Sequence, residues 1–216
     1  MGIYSIVAFF QKGGLFMYPI LLVFSVGMAI AVERWVQLTR TRNQNRKMWL
    51  QLQPVLVQGE FDKARDIVND DRSTISQMLS MGLARQGAVR RREDIEIAME
   101  ESMMEIIPQL EKRTPYVALL SNIATLLGLL GTIMGLIEAF TAVANANPAE
   151  KADLLSASIS VAMNTTAFGL MAAIPLLLIH AKLTSTTGQI VDSLEMASVK
   201  ALNSISNFTK RQHTAD

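Results

Sequence analysis

The residues of this chain best suited to chemistry are hydroxyls set in two long apolar runs. Thr114–Ile137 has 24 residues and Leu154–Ile179 has 26, both without a charge. At 100° per residue, Ser121, Ala124, Thr125, Gly128, Gly131, Thr132, Gly135 and Ala139 share an arc of roughly 120° on the first run. On the second, Ser158, Ala162, Thr165, Thr166, Gly169, Ala172, Ala173 and His180 share a similar arc. Leu, Ile and Met cover the remaining faces. Hydroxyls can pass protons by way of water or ligate a dehydrated cation, and polar groups at membrane depth usually face a protein interior or a hydrated path. The same small residues also suit close helix packing, and Gly131 to Gly135 is a GxxxG step. A packed pair needs one close face per helix, and stripes this wide leave part of each for another partner or a lumen.

What is missing narrows the chemistry. No carboxylate or histidine falls in the middle of either run. The ionisable groups Glu33, Arg34, Glu138, Asp153, His180 and Lys182 stand at or beyond the ends of apolar runs. Glu138 closes the outer end of the second span, where a headgroup position competes with a functional one. His180 is at the cytoplasmic boundary, either a proton carrier or a solvated histidine. Proton relays need a group that titrates. If ions cross here, that group must come from a second chain.

Cysteine is absent and there are only two histidines, so no histidine- or cysteine-based metal site is expected, and no cofactor. No Ser/His, paired-Asp or HExxH arrangement lies at membrane depth, which argues against an enzyme. The net charge of +1 gives no sign of nucleic-acid binding.

The elements that must position these hydroxyls are membrane helices. Half of the 216 residues are hydrophobic and 18% are charged, a membrane composition. A helix of 24 residues spans roughly 36 Å, more than the bilayer's hydrocarbon core of about 30 Å. Gly13–Val32 supplies another uncharged run. Ala29-Ile30-Ala31 there resembles a signal-peptide cleavage site, but the segment before the run is long for that role. The basic residues Arg34, Arg40, Arg42, Arg46 and Lys47 follow at once, marking a membrane anchor with its basic side inside.

Positions 39–113 hold 13 of the 20 Lys and Arg residues. They read as helices: apolar spacing over Val55–Val68 broken at Gly59, a helix from Thr74 to Gln86 capped by Ser73, and one from Glu93 to Lys112 after Arg90-Arg91-Arg92. The triple arginine fits acidic headgroups or a solvated helix start. Ile95, Met99, Met103, Ile106, Ile107 and Leu110 form a stripe that suits a bundle core or a partner groove. Pro108 should interrupt that helix, and Pro115 marks the passage into the membrane.

The expected fold is an all-α membrane protein with three transmembrane helices extended by cytoplasmic helices. Its segments are a periplasmic N-terminus (1–12), a first membrane helix (13–38), a cytoplasmic helical region (39–113) and a second membrane helix (114–140). A periplasmic loop (141–153), a third membrane helix (154–182) and a cytoplasmic C-terminal helix and tail (183–216) complete it. Ile190, Leu194, Ala197, Ala201 and Ile205 form an apolar stripe on that last helix. The positive-inside rule sets the orientation.

Two stretches carry a family resemblance. Leu126-Leu127-Gly128-Leu129-Leu130-Gly131-Thr132-Ile133-Met134-Gly135-Leu136-Ile137-Glu138-Ala139-Phe140 is one, and Asn164-Thr165-Thr166-Ala167-Phe168-Gly169-Leu170-Met171-Ala172-Ala173-Ile174-Pro175 is the other. Together they resemble the MotA/TolQ/ExbB proton-channel family. Three membrane helices rather than four bring the chain nearer ExbB and TolQ. The resemblance implies a pentamer in the bacterial inner membrane, enclosing single-helix partners of the ExbD/TolR type. Each partner would supply a membrane aspartate. It also implies that proton-motive force drives work on an envelope protein of the TonB/TolA type, in biopolymer or protein transport.

By position, Thr132 and Thr166 match the family's threonines near that aspartate, and Thr165 adds a hydroxyl beside them. Gly128, Gly131, Gly135 and Gly169 are expected to pack helices. Two departures stand out. Thr125 occupies a position where the family often has proline, and Val161 one where ExbB and TolQ usually carry glutamate. A non-conducting structural scaffold, in which the stripes only pack, remains the alternative to a channel.

Overall fold

The computed structural model describes residues 14–86 and 92–213. The expected periplasmic N-terminus, Arg90 and Arg91, and the last three residues lie outside the described residues. Among the described residues there are six helices and no β-strand: α1 Met17–Gln58, α2 Phe61–Asn69, α3 Thr74–Arg85, α4 Arg92–Glu111, α5 Thr114–Asn145 and α6 Lys151–His213. Three helices are long and apolar enough to cross a membrane. The protein is an all-α membrane protein.

The chain forms two compact units. The first takes the chain up to Arg34 together with Arg113–Lys182, and the second takes Trp35–Lys112 and everything from Leu183 onwards. The helices α1 and α6 each contribute a segment to both.

In the first unit, most of the side chains that α5 and α6 bury are small, and the bulky ones stand largely outward. Ala124, Ala139, Ala162, Ala172 and Ala173 are buried, whereas Leu126, Ile137, Phe140, Met163 and Leu178 are more than half exposed. That inversion suits helices whose outer solvent is lipid, because close packing rather than hydrophobic burial holds them together. Ile20, Val23 and Phe24 of α1 pack against Ala124, Leu127, Phe168, Ala172 and Ala173. Gly27 adds a close contact, since a β-carbon there would lie 2.9 Å from Leu176 Cδ1. Glu33 and Arg113 pair at 2.6 Å where the unit ends.

In the second unit the apolar stripes turn inward. Leu38, Leu52 and Leu56 of α1, Ile75, Met78 and Leu79 of α3, and Met99 of α4 are almost fully buried. The expected stripe on α6 is buried throughout, from Ile190 to Ile205. Gly59 ends the first helix at φ 80°, and a β-carbon there would come within 2.5 Å of the Phe208 ring. That ring packs edge-on against Phe61. Ser73 caps α3, its hydroxyl accepting from Ser76 N–H. Asn45, buried on α1, accepts from Ile75 N–H and exchanges hydrogen bonds with the Thr74 hydroxyl.

One local expectation fails. Helix α4 runs through Pro108 and ends only at Glu111. Proline removes one backbone bond near the helix end, while Ile106 and Leu110 on either side of it are buried. The break falls instead at Arg113, whose φ is 65°.

Candidate functional site

The second and third membrane spans meet along a seam built from their glycines. A β-carbon on Gly169 would lie 2.8 Å from the Ala124 carbonyl oxygen and 2.9 Å from Gly128 Cα. One on Gly135 would lie 2.8 Å from Ala162 Cβ. Real β-carbons cannot come that close to backbone, so glycine is what lets the helices approach. Gly131 faces the side chain of Thr165. All four glycines expected to pack helices therefore lie on this seam.

The hydroxyls divide by where they point. Ser121, fully buried, donates across the seam to the Ala173 carbonyl at 2.8 Å. Thr165 is 2% exposed, and its hydroxyl donates to Val161 O of its own helix at 3.0 Å. Thr125 is exposed and donates back to Ser121 O.

Thr132 and Thr166 differ from these. Both are half-buried, their hydroxyls are hydrogen-bonded to each other across the seam, and both reach the carbonyl oxygen of Gly128, Thr166 at 2.9 Å and Thr132 at 3.2 Å. They are 34 residues apart in sequence and meet because α5 and α6 run antiparallel through the seam at matching heights.

Proton counting gives this pair its chemical character. Two hydroxyl protons serve two acceptors, the Gly128 carbonyl and one of the two hydroxyl oxygens. The chain can run Thr132 to Thr166 to Gly128, or Thr166 to Thr132 to Gly128. Each hydroxyl has two acceptor lone pairs, so either order leaves accepting capacity for a further donor. Turning the hydroxyl that donates to Gly128 O away from it frees that proton for another acceptor.

The other expected residues are not brought to this pair. Glu138 is exposed on α5, one turn and a half beyond Thr132, and His180 is half-buried near the far end of the span. Thr165 neighbours Thr166 in sequence but faces into the seam against Gly131. Among the described residues no group of acidic, histidine or cysteine side chains could hold a metal ion. Ser121 stands out in the sequence only as a member of its stripe. Its position in the middle of the small-residue arc was the available signal.

Comparison with known proteins covers this region. Residues 70–196, more than half the chain, match the family described as the MotA/TolQ/ExbB proton channel family. The Tol-Pal system protein TolQ of Haemophilus influenzae is 35% identical over 86 residues, 40% of this chain and 37% of that protein. The putative biopolymer transport protein ExbB-like 1 of Synechocystis is 29% identical over 189 residues, 85% of this chain and 72% of that protein. A putative ExbB homolog of Methanothermobacter thermautotrophicus is 25% identical over 194 residues, covering 89% and 67%. Against TolQ the match spans little more than a third of the relative, whereas the ExbB-like proteins align along most of the chain. With the glycine seam and both threonines inside the matched region, the chain belongs to the MotA/TolQ/ExbB proton channel family, close to its ExbB and TolQ members.

Proposed function

We propose that this chain is the channel subunit of an inner-membrane motor in which a second protein carries the titrating group. Five copies surround the single membrane helices of an ExbD/TolR-like partner. Its membrane aspartate takes up and releases the proton beside Thr132 and Thr166. Proton-motive force becomes work on an envelope protein of the TonB/TolA type. The N-terminus and the loop after α5 face the periplasm, and the second unit faces the cytoplasm.

The observation that carries this reading is the Thr132–Thr166 pair on the Gly128 carbonyl. It can accept from a protonated carboxyl and, after one hydroxyl turns, donate to a carboxylate. A neutral hydrogen bond is worth about 1 kcal/mol net, so the switch is cheap beside the cost of a bare charge at mid-membrane. Thr165 supports the pair from within the seam. Glu138 and His180 stand at the two ends of the path as secondary candidates.

The scaffold reading has its own support, because the glycine face is largely taken up in packing α5 against α6, with Phe16 also against Gly131. Reconstitution separates the two. In liposomes the purified chain should give little proton leak. Leak or coupled work should appear with the partner and vanish when the partner's aspartate becomes asparagine. A robust conductance from this chain alone would overturn the two-chain mechanism.

A further inference from the structure

The outward faces of α1 and α4 within the second unit carry opposite charge. From Trp35 to Gln58, α1 has Arg40, Arg42, Arg46 and Lys47 and no acidic residue. Leu38, Leu52 and Leu56 turn inward, and Val36, Leu50 and Val57 stand outward among the cations, each at least 60% exposed. Helix α4 is acidic apart from Arg92 at its start. Glu93, Glu96, Glu100, Glu101, Glu105 and Glu111 are all exposed, with Ile97 and Met104 protruding among them at 48% and 71% exposure.

Among the described residues neither face meets its opposite charge in an ion pair. The ion pairs among the described residues are Lys63–Glu60, Arg65–Asp62 and Arg113–Glu33, and none involves these cations or carboxylates. Like charges four residues apart, as at Arg42/Arg46, Glu96/Glu100 and Glu101/Glu105, each weaken a free helix by about 0.2–0.5 kcal/mol. Exposed apolar side chains rimmed by charge mark an interaction surface.

We propose that these faces bind each other between neighbouring copies of this chain, the basic face of α1 on one against the acidic face of α4 on the next. Because the two patches differ, the contact is head-to-tail, the kind that builds a ring when its rotation closes. It rests on the ring assembly proposed above and assigns that ring a charged seam outside the membrane.

Geometry supports the pairing. A ring of identically inserted chains has its axis along the bilayer normal, so residues in contact lie at one depth. Trp35 and Lys112 begin the two faces, and each is within two residues of the Glu33–Arg113 ion pair. Counting along each helix at about 1.5 Å per residue from those two residues, Arg46 and Glu101 both lie about 17 Å away, and Leu50 and Ile97 about 23 Å. At equal distances along the two helices Arg42, Arg46 and Lys47 fall opposite Glu105, Glu101 and Glu100, and Leu50 opposite Ile97, while Arg40 and Val36 fall opposite Ile107 and Glu111.

An anionic bilayer surface suits the basic face less well. The headgroup layer is only about 5–8 Å thick, whereas the cations from Arg40 to Lys47 alone span about 11 Å of helix and the whole exposed face from Trp35 to Val57 about 33 Å. A lipid surface would also leave the acidic face of α4 without a partner.

The chain has no cysteine, so introduced pairs can be read directly in native membranes. Oxidation of Leu50→Cys/Ile97→Cys should give a ladder of covalent multimers, and a mixture of the two single variants should give dimers only. Adding Glu100→Lys and Glu101→Lys should cut the cross-linked yield about tenfold, and further adding Arg46→Glu and Lys47→Glu should restore it. If native mass shows an intact ring while cross-linking fails and the reversals have no effect, this interface is overturned and the ring stands. A wild-type monomer by native mass would sink both. If Arg46→Glu/Lys47→Glu abolishes binding to anionic vesicles but leaves the ring and its cross-links unchanged, the face belongs to lipid and the proposal fails.

Discussion

Gly169 faces Gly128 across the membrane seam so closely that a β-carbon on Gly169 would sit 2.9 Å from the Gly128 Cα. The nearest neighbours of that β-carbon are backbone atoms, which cannot swing aside as a side chain can. Replacing Gly169 by Leu should therefore separate α5 from α6 and prevent assembly. Even Gly169→Ala should cost about 1–3 kcal/mol by overpacking. Gly188, with open space around its Cα, is the control, and Gly188→Ala should leave assembly intact. Native mass in detergent and the temperature of dissociation measure both.

The hydroxyls at Thr132 and Thr166 can be removed with little change in shape. Thr132→Val and Thr166→Val should assemble normally, since each loses about one hydrogen bond worth about 1 kcal/mol. A hydrogen bond to a charged group is worth about 1.5–3 kcal/mol, so coupled work should fall about ten- to hundredfold if the pair meets a partner carboxylate. Thr165→Val, whose hydroxyl is turned onto Val161 O, should have the smaller effect on coupling. Both variants working at full rate would return the seam to a packing role.

The start of α3 should respond to acid. Burial raises the Asp71 pKa, while hydrogen bonds from the Ser73 side chain and backbone, the Ser76 hydroxyl and the Arg72 backbone pull it down, and the outcome lies below the ordinary aspartate value. A depressed folded pKa means that the stabilisation is present above the unfolded pKa of about 3.9 and is lost as pH falls through the folded value. Amide exchange at the first turns of α3 should accelerate in wild type as pH drops through that range, after correction for intrinsic rates. Asp71→Asn should show no such acid-dependent step. Ser73→Ala should loosen the same turn by about 1 kcal/mol at neutral pH and blunt the acid step, because it also removes one of the hydrogen bonds to Asp71.

Orientation has a direct test. Cysteine at Asn147, exposed after α5, should react with an impermeant thiol reagent added outside intact cells. Cysteine at Lys63, exposed on α2, should not react until the cells are opened. Ser73 is a poor reporter because it is buried as a helix cap. Labelling of the Lys63 position in intact cells would reverse the topology.

How much was legible beforehand varies with the kind of interaction. The meeting of Gly128, Gly135 and Gly169 was readable because a helical period places small residues on one face and only close packing rewards them. The Thr132–Thr166 contact was suggested by phase and by family resemblance, but its shared acceptor at Gly128 depends on the relative height of two helices that bring together residues 34 apart. Gly27 against Leu176 was invisible, because a lone glycine in a Leu- and Val-rich run has no periodic partner. The uninterrupted course of α1 to Gln58 was hidden by the change from apolar to charged composition, which marks a change of solvent and not of backbone. Pro108 misled for a local reason: its missing N–H falls near a helix end that packing of Ile106 and Leu110 keeps in place.

The chain passes between its two units three times. Two passages, within α1 and within α6, are uninterrupted helix. The third runs through Arg113, the one described residue other than glycine with a positive φ. A non-glycine residue in the left-handed region costs about 1–2 kcal/mol, and the Glu33 carboxylate, 2.6 Å from the guanidinium, holds that same residue by its side chain.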